Sequence, residues 1–288
     1  MEKKNNFAYI TALSNDTFLP GVKALLKSLK HVNTAYPLGI MIPKSLEGTL
    51  RNAIEDAGLL KAYNAFFIVE DDLIIPSDIP IDRTHHWAYT FFKLMSTSLT
   101  QFTKIILIDC DVIVLKNMDE LFQRKSMSAT SAGVCVHPDW KGQFTSGLVV
   151  IEPNIEIFTK LIAAIEPTVK RLHNEGKRTG DQDVIQSVFP DWGEQQNLLI
   201  HEKYNVIWYA IPDFCRYYQM GTKDIYMVHF TGAKKPWAYD KNFAIKELWS
   251  RFSAHEWIAI LFKKSKRRKL KILLFKTFVW IKYWKLCR

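Results

Sequence analysis

Residues 104–121 read KIILIDCDVIVLKNMDEL, and the fold turns on how this run is understood. Ile105 to Ile108 is a continuous apolar run of the kind found in strands covered on both faces, but Asp109 and Asp111 then set two carboxylates into it. Burying an unpaired charge is costly, so these acids need a partner. In an extended chain residues i and i+2 share a face, so the two carboxylates can converge while Cys110 points away. In an open α/β sheet, ligands gather at the carboxyl ends of the strands. Two hard oxygen donors emerging there suit magnesium or manganese, which in turn can hold a diphosphate. Taken alone, the same spacing equally describes a solvated turn.

The flanking sequence decides between a strand and an isolated apolar run. Upstream, NFAYITALS is rich in strand formers and leads through Asn15-Asp16 and Pro20-Gly21 into GVKALLKSLKHV, where Val22, Leu25, Leu26 and Leu29 recur at helical spacing. PLGIMIP is a second short strand, SLEGTLRNAIEDAGL a helix with Ser45 at its N-cap, and AFFIVED a third strand. HHWAYTFFKLMSTSLT reads as a helix delivering the chain into KIILI. Downstream come strands in SAGVCVHP and TSGLVVIEP, then a helix with Ile155, Phe158, Leu161, Ile162 and Ile165 on one face. GDQDVIQSVFP, NLLIHEKYNVIWY and DIYMVHF complete the alternation, which predicts a single α/β domain with a mostly parallel sheet.

Composition narrows the function classes. The 288 residues are 48% hydrophobic and 13% aromatic, which excludes a disordered chain. Cys110, Cys135, Cys215 and Cys287 are scattered, so neither a zinc ribbon nor a disulfide framework is expected. MEKKNNFAYITALS carries no apolar leader, and a cytoplasmic body is expected. The formal net charge of +10 would suggest nucleic acid, but residues 263–288 hold 11 Lys and Arg with no acid. That leaves 28 basic against 29 acidic residues in the rest, so the body offers no electrostatic footprint for nucleic acid.

A second candidate cluster lies in VHFTGAKKPW. His229 ends the apolar run IYMV and could complete a mixed oxygen and nitrogen metal site, which favours manganese over magnesium or calcium. Gly232 permits close backbone approach and a lysine just beyond it, Lys234 or Lys235, can neutralise phosphate. By itself a histidine at such a place is as readily a hydrogen-bonded structural residue.

These pieces occur in one order: YITALSNDTFLPG, KIILIDCDVIVLKNMDELF, TSGLVVIEP, GDQDVI and HFTGAKKPW. In that order and spacing, over residues 7–240, the chain resembles the family 8 retaining glycosyltransferases, which include glycogenin, galactinol synthase and bacterial lipopolysaccharide galactosyltransferases. The resemblance implies a Rossmann-like nucleotide-sugar-binding domain of GT-A type over residues 1–262. It implies that Asp109, Asp111 and His229 bind manganese, with magnesium as the alternative ion, and that a UDP-sugar is the donor. Ala12, Ser14, Asn15 and Phe18 fall where the family holds uracil and ribose. Lys93, Asp109, Cys110 and Asp111 fall among the donor contacts, as do Thr145, Ser146 and Gly147. Thr145 stands where the family usually has Asn. Gly232 and Lys235 match the diphosphate contacts, and Asp181 and Gln182 the catalytic pair nearest the anomeric carbon. Read without the family, Lys93 fits a solvated helix face and Asp181 with Asp183 an acidic helix start.

FKKSKRRKLKILLFKTFVWIKYWKLCR, the end of the chain, mixes cations with aromatic and aliphatic residues in apolar runs too short to span a bilayer. A basic amphipathic helix lying on an anionic membrane is the expectation for residues 263–288, with the enzyme held peripherally at the inner face of the cell membrane. The acceptor would then be a lipid-linked saccharide of cell-surface glycan synthesis; a soluble or protein acceptor, as for glycogenin or galactinol synthase, is the alternative.

Overall fold

The computed structural model of the chain describes residues 6–238, apart from 56, 57, 132, 137–139, 233 and 234. Lys234, Cys287 and the basic tail lie outside the described residues. The chain opens with β1 (Phe7–Ala12), α1 (Leu19–His31), β2 (Leu38–Pro43), α2 (Glu47–Glu55), the single turn α3 (Leu59–Ala62) and β3 (Ala65–Glu70). A 3-10 helix, His86–Ser98, leads to β4 (Lys104–Ile108), β5 (Val112–Val114), β6 (Ala129–Ser131) and β7 (Phe144–Ile151). Helices α4 (Ile155–Asn174) and α5 (Asp181–Val188) follow, then β8 (Leu199–Ile200), β9 (Val206–Ile207), α6 (Ile211–Tyr217) and β10 (Met227–His229).

The main sheet has seven strands in the order β3-β2-β1-β4-β7-β6-β8. Only β7 runs against its neighbours, so the sheet is mostly parallel. Period-two alternation divides each central strand between two cores. Ile105 and Leu107 of β4 join Ala8 and Ile10 of β1 on the face covered by the 3-10 helix, α4 and α5. Ile106 and Ile108 join Tyr9 on the opposite face, under Leu25, Leu26 and Leu29 of α1 and Leu50 of α2. Both faces are covered, which is why the central positions of these strands are mostly apolar.

From β1 the chain winds outward through β2 to β3 and then returns to place β4 on the other side of β1. The sheet therefore reverses its winding between β1 and β4, and the crevice at their carboxyl ends is the place where such sheets bind ligands.

The decisive stretch is not one strand. KIILI ends β4, Asp109 to Asp111 form a turn, and VIV enters a separate three-stranded sheet ordered β5-β10-β9. β10 runs antiparallel to β5 with His229 opposite Val112, and Phe230 N–H donates to the Asp111 carbonyl at 2.9 Å. The acidic turn is thus held between two sheets.

Some local expectations change. SAGVCVHP is not a strand throughout: the strand stops at Ser131, and Gly133, at φ 58°, turns the chain through a left-handed conformation that extended residues do not adopt. Ser45 does not cap α2; it sits in the preceding turn and its hydroxyl donates to Asp72. The α4 face omits Ile155, which follows the Asn154 cap and is 55% exposed. The helix before β4 is wound as 3-10. Thr97 and Ser98 hydroxyls each donate to the carbonyl three residues back, contacts that compete with α-helical bonding.

Candidate active site

Every site residue that the family resemblance assigned lines one cleft of about 650 Å³ at the β1/β4 switch point. β1 ends in Ala12, and the following loop supplies Ser14, Asn15 and Phe18. Asn15 is held by its own turn, its side chain accepting from Thr17 N–H at 3.0 Å. Phe18 packs edge-on against Trp237 with ring centroids 5.7 Å apart, and Trp237 Nε1 donates to the Thr17 carbonyl at 2.8 Å. The segment after β10 therefore folds back over the loop after β1. Gly21 makes this approach possible: a Cβ there would lie 2.4 Å from the Cys110 carbonyl oxygen and 2.9 Å from the Trp237 ring.

At the floor, one oxygen or nitrogen from each of Asp109, Asp111 and His229 falls within 4.8 Å of the others. His229 Nε2 is 3.4 Å from Asp109 Oδ2 and 3.2 Å from Asp111 Oδ1. Two carboxylates and an imidazole are hard-to-borderline donors, and spacings near 3 Å are those of neighbouring ligands around a small divalent cation with bonds of about 2.1 Å. The residues fit such an ion.

Two ammonium groups face the remaining oxygens. Lys235, 8% exposed, donates to Asp111 Oδ2 and to the Phe230 carbonyl. Burial alone would raise the Asp111 pKa, but the neighbouring His229 ring and the Lys235 ammonium override it and hold the carboxyl well below its usual range. Lys93, 7% exposed, reaches Asp109 Oδ1 at 2.8 Å, Ser146 Oγ at 3.1 Å and Asp181 Oδ2 at 2.9 Å. Its burial disfavours the charged form, and the two carboxylates overcome that, so the ammonium is kept. Lys93 is therefore not on a solvated helix face.

The acids of α5 separate into two roles. Asp183 accepts from Gly180 N–H at 2.8 Å and closes the start of the helix. Asp181 is 3% exposed, and its Oδ2 pairs with Lys93 by charge without an aligned hydrogen bond. Gln182 Oε1 accepts from Ser146 N–H at 3.4 Å, joining α5 to β7 beside Thr145 and Gly147. Gly232, at φ 100°, has open space where a Cβ would project.

Sequence reading missed several lining residues. Asn205, buried behind His229, carries no signal beyond a lone Asn near a short strand. His85, His86, Trp87 and Tyr89 line the rim from the 3-10 helix and its approach. Trp87 and Tyr89 are 41% and 48% exposed, and the sequence marks this stretch only as a helix leading into β4. Burial, then the charges of His85 and Lys235, bring the His86 pKa down to about 4, so its ring is neutral at pH 7.

With an acid-acid-imidazole cluster at the switch point of a mostly parallel sheet covered on both faces, the fold is of GT-A type. The family model described as Glycosyl transferase family 8 matches residues 9–241, and the chain belongs to that family. Glycogenin-1 of Oryctolagus cuniculus is 27% identical over 243 residues, covering 81% of this chain and 66% of that protein. Glycogenin-1 of Caenorhabditis elegans is 29% identical over 238 residues, covering 80% and 50%. The chain thus spans between half and two thirds of the length of these relatives. The galactosyltransferase LgtC, crystallised with donor and acceptor sugar analogues, is similar in fold at a TM-score of 0.58, with 14% identity over 92% of this chain and 99% of that one.

Proposed function

We propose that the chain transfers a hexose, galactose or glucose, from a UDP-sugar to a saccharide hydroxyl with retention of anomeric configuration. The observation that carries this reading is the meeting of Asp109, Asp111 and His229 inside the cleft bounded by the loop after β1. Manganese, or magnesium in its place, would be held by these three side chains and would neutralise charge on the departing diphosphate. The chain's own residues supply the rest. Ala12, Ser14, Asn15 and Phe18 accommodate the nucleoside. Lys235 places a second positive charge where the leaving oxygen gains negative charge, and the open backbone at Gly232 lets the phosphates approach. Lys93, Cys110, Thr145, Ser146 and Gly147 surround the donor sugar, while Asp181 and Gln182 stand beside its reacting carbon. The ion pair to Lys93 weakens Asp181 as a nucleophile, which favours front-face attack, the acceptor hydroxyl giving its proton to the departing phosphate.

A second cavity of about 880 Å³ adjoins the cleft, sharing His85, Trp87 and Asp183 with it, and supports entry of the acceptor from that side. A lipid-linked acceptor rests on the basic tail; similarity to glycogenins supports a soluble or protein acceptor equally. Residues 1–262 form the catalytic unit in this reading and 263–288 a membrane-surface segment that keeps the enzyme at the inner face of the membrane. Among the described residues no helix is long and apolar enough to cross a membrane.

Incubating the full-length chain with radiolabelled UDP-galactose or UDP-glucose, Mn²⁺ and separated lipid, soluble saccharide and protein fractions tests this reading. Label should move to one fraction, the lipid fraction if the tail directs the acceptor. Intact donor in every mixture would overturn it.

A further inference from the structure

We infer that Asn205 and Gly147 are positioning residues for His229, fixing its tautomer and ring orientation so that the Nε2 lone pair points between Asp109 and Asp111. The inference rests on the metal reading of that cluster and assigns tasks that neither the family resemblance nor the motif spacing gave these two residues.

Asn205 is 7% exposed, and its Oδ1 lies 3.1 Å from His229 Nδ1. An amide oxygen only accepts, so Nδ1 carries the hydrogen. A neutral imidazole has one N–H, which leaves Nε2 as the bare lone pair, the form a metal ligand requires. The amide is itself held: Asn205 Nδ2 donates to Thr130 Oγ1 at 3.3 Å, which sets the oxygen toward the imidazole. Thr130 lies in β6 and is fully buried, so this prop belongs to the main sheet.

Gly147 supplies the space. A Cβ at this position would stand 2.7 Å from His229 Cε1 and 2.8 Å from its Nδ1, closer than such atoms can pack, and a tight 3.0 Å from Asn205 Nδ2. Any side chain at 147 must displace the ring, the amide or both. The same residue's carbonyl accepts from Asp109 N–H at 3.3 Å. Gly147 therefore sets one acid by its backbone and the imidazole by its missing side chain.

The test measures Mn²⁺ affinity of the metal-stripped full-length chain from the free-ion electron paramagnetic resonance signal, with metal-free melting temperatures read alongside. Asn205→Leu, which cannot accept, should weaken Mn²⁺ binding about tenfold or more, the usual cost of losing the partner of a ligating histidine. Asn205→Asp keeps an acceptor at Nδ1 and should bind within about threefold of the wild type. Gly147→Ala should weaken binding as much as Asn205→Leu. In the Mg²⁺-loaded wild type, the ¹⁵N spectrum of His229 should report a protonated Nδ1. Wild-type affinity in Asn205→Leu, or an Asn205→Asp protein as weak as Asn205→Leu, would overturn the inference. If Asn205→Leu does not fold, the Asn205→Asp and Gly147→Ala arms decide. Failure of the wild type itself to bind Mn²⁺ would overturn the metal reading and the inference together.

Discussion

Lys93 joins the donor side of the cleft to its floor, being 9% exposed at the side chain and paired with both Asp109 and Asp181. Removing its charge strands two acids, a loss that costs about 3–5 kcal/mol for a buried ion pair. Lys93→Met should therefore lower the melting temperature markedly in EDTA, and excess Mn²⁺ should restore part of it by neutralising Asp109. A shift below about 1 kcal/mol would show that the pair is not structural. His86 gives a pH signature. Its folded pKa of about 4 lies below the unfolded value near 6.5, so the unfolded state binds more protons between them. Stability should fall as pH drops from 6.5 towards 4, and His86→Gln should flatten that slope in pH-dependent thermal melts. The acids and His229 were legible because a charge inside an apolar strand is conspicuous. Asn205 was not, because its importance comes from the neighbour that a distant strand brings to it.

At the scale of elements, α1 and the acidic turn fit only because Gly21 has no side chain. Gly21→Ala drives a carbon against the Cys110 carbonyl, and overpacking of this kind costs about 1–3 kcal/mol. Urea denaturation should show that loss, with UDP affinity reduced because the loop after β1 moves with the helix. Most elements were readable from periodicity, including β1 to β4, α1 and α4. The split of KIILIDCDVIV between two sheets was not. Both halves are apolar, and what separates them is the pairing of β5 with β10, a strand more than a hundred residues away. The 3-10 winding of residues 86–98 was hidden similarly, since its apolar spacing also fits an α-helix.

At the scale of the whole molecule, the fold brings five separated motifs to one crevice, and their order in the chain foreshadowed this better than any single motif did. The basic tail belongs to a different question, that of where the acceptor resides. A chain ending at residue 262 should keep UDP-sugar hydrolysis yet lose co-sedimentation with vesicles of anionic phospholipid, while the full chain sediments with them in a salt-sensitive way. Sedimentation of the truncated chain to the same extent would remove the membrane role. The central claim concerns the floor of the cleft, and it is tested most directly by UDP release from UDP-galactose and UDP-glucose in Mn²⁺ and in EDTA, for the wild type and Asp111→Asn. Release from at least one donor should need Mn²⁺ and fall by about two orders of magnitude or more in the variant. Equal release in EDTA, or near wild-type release by Asp111→Asn in Mn²⁺, would contradict the account.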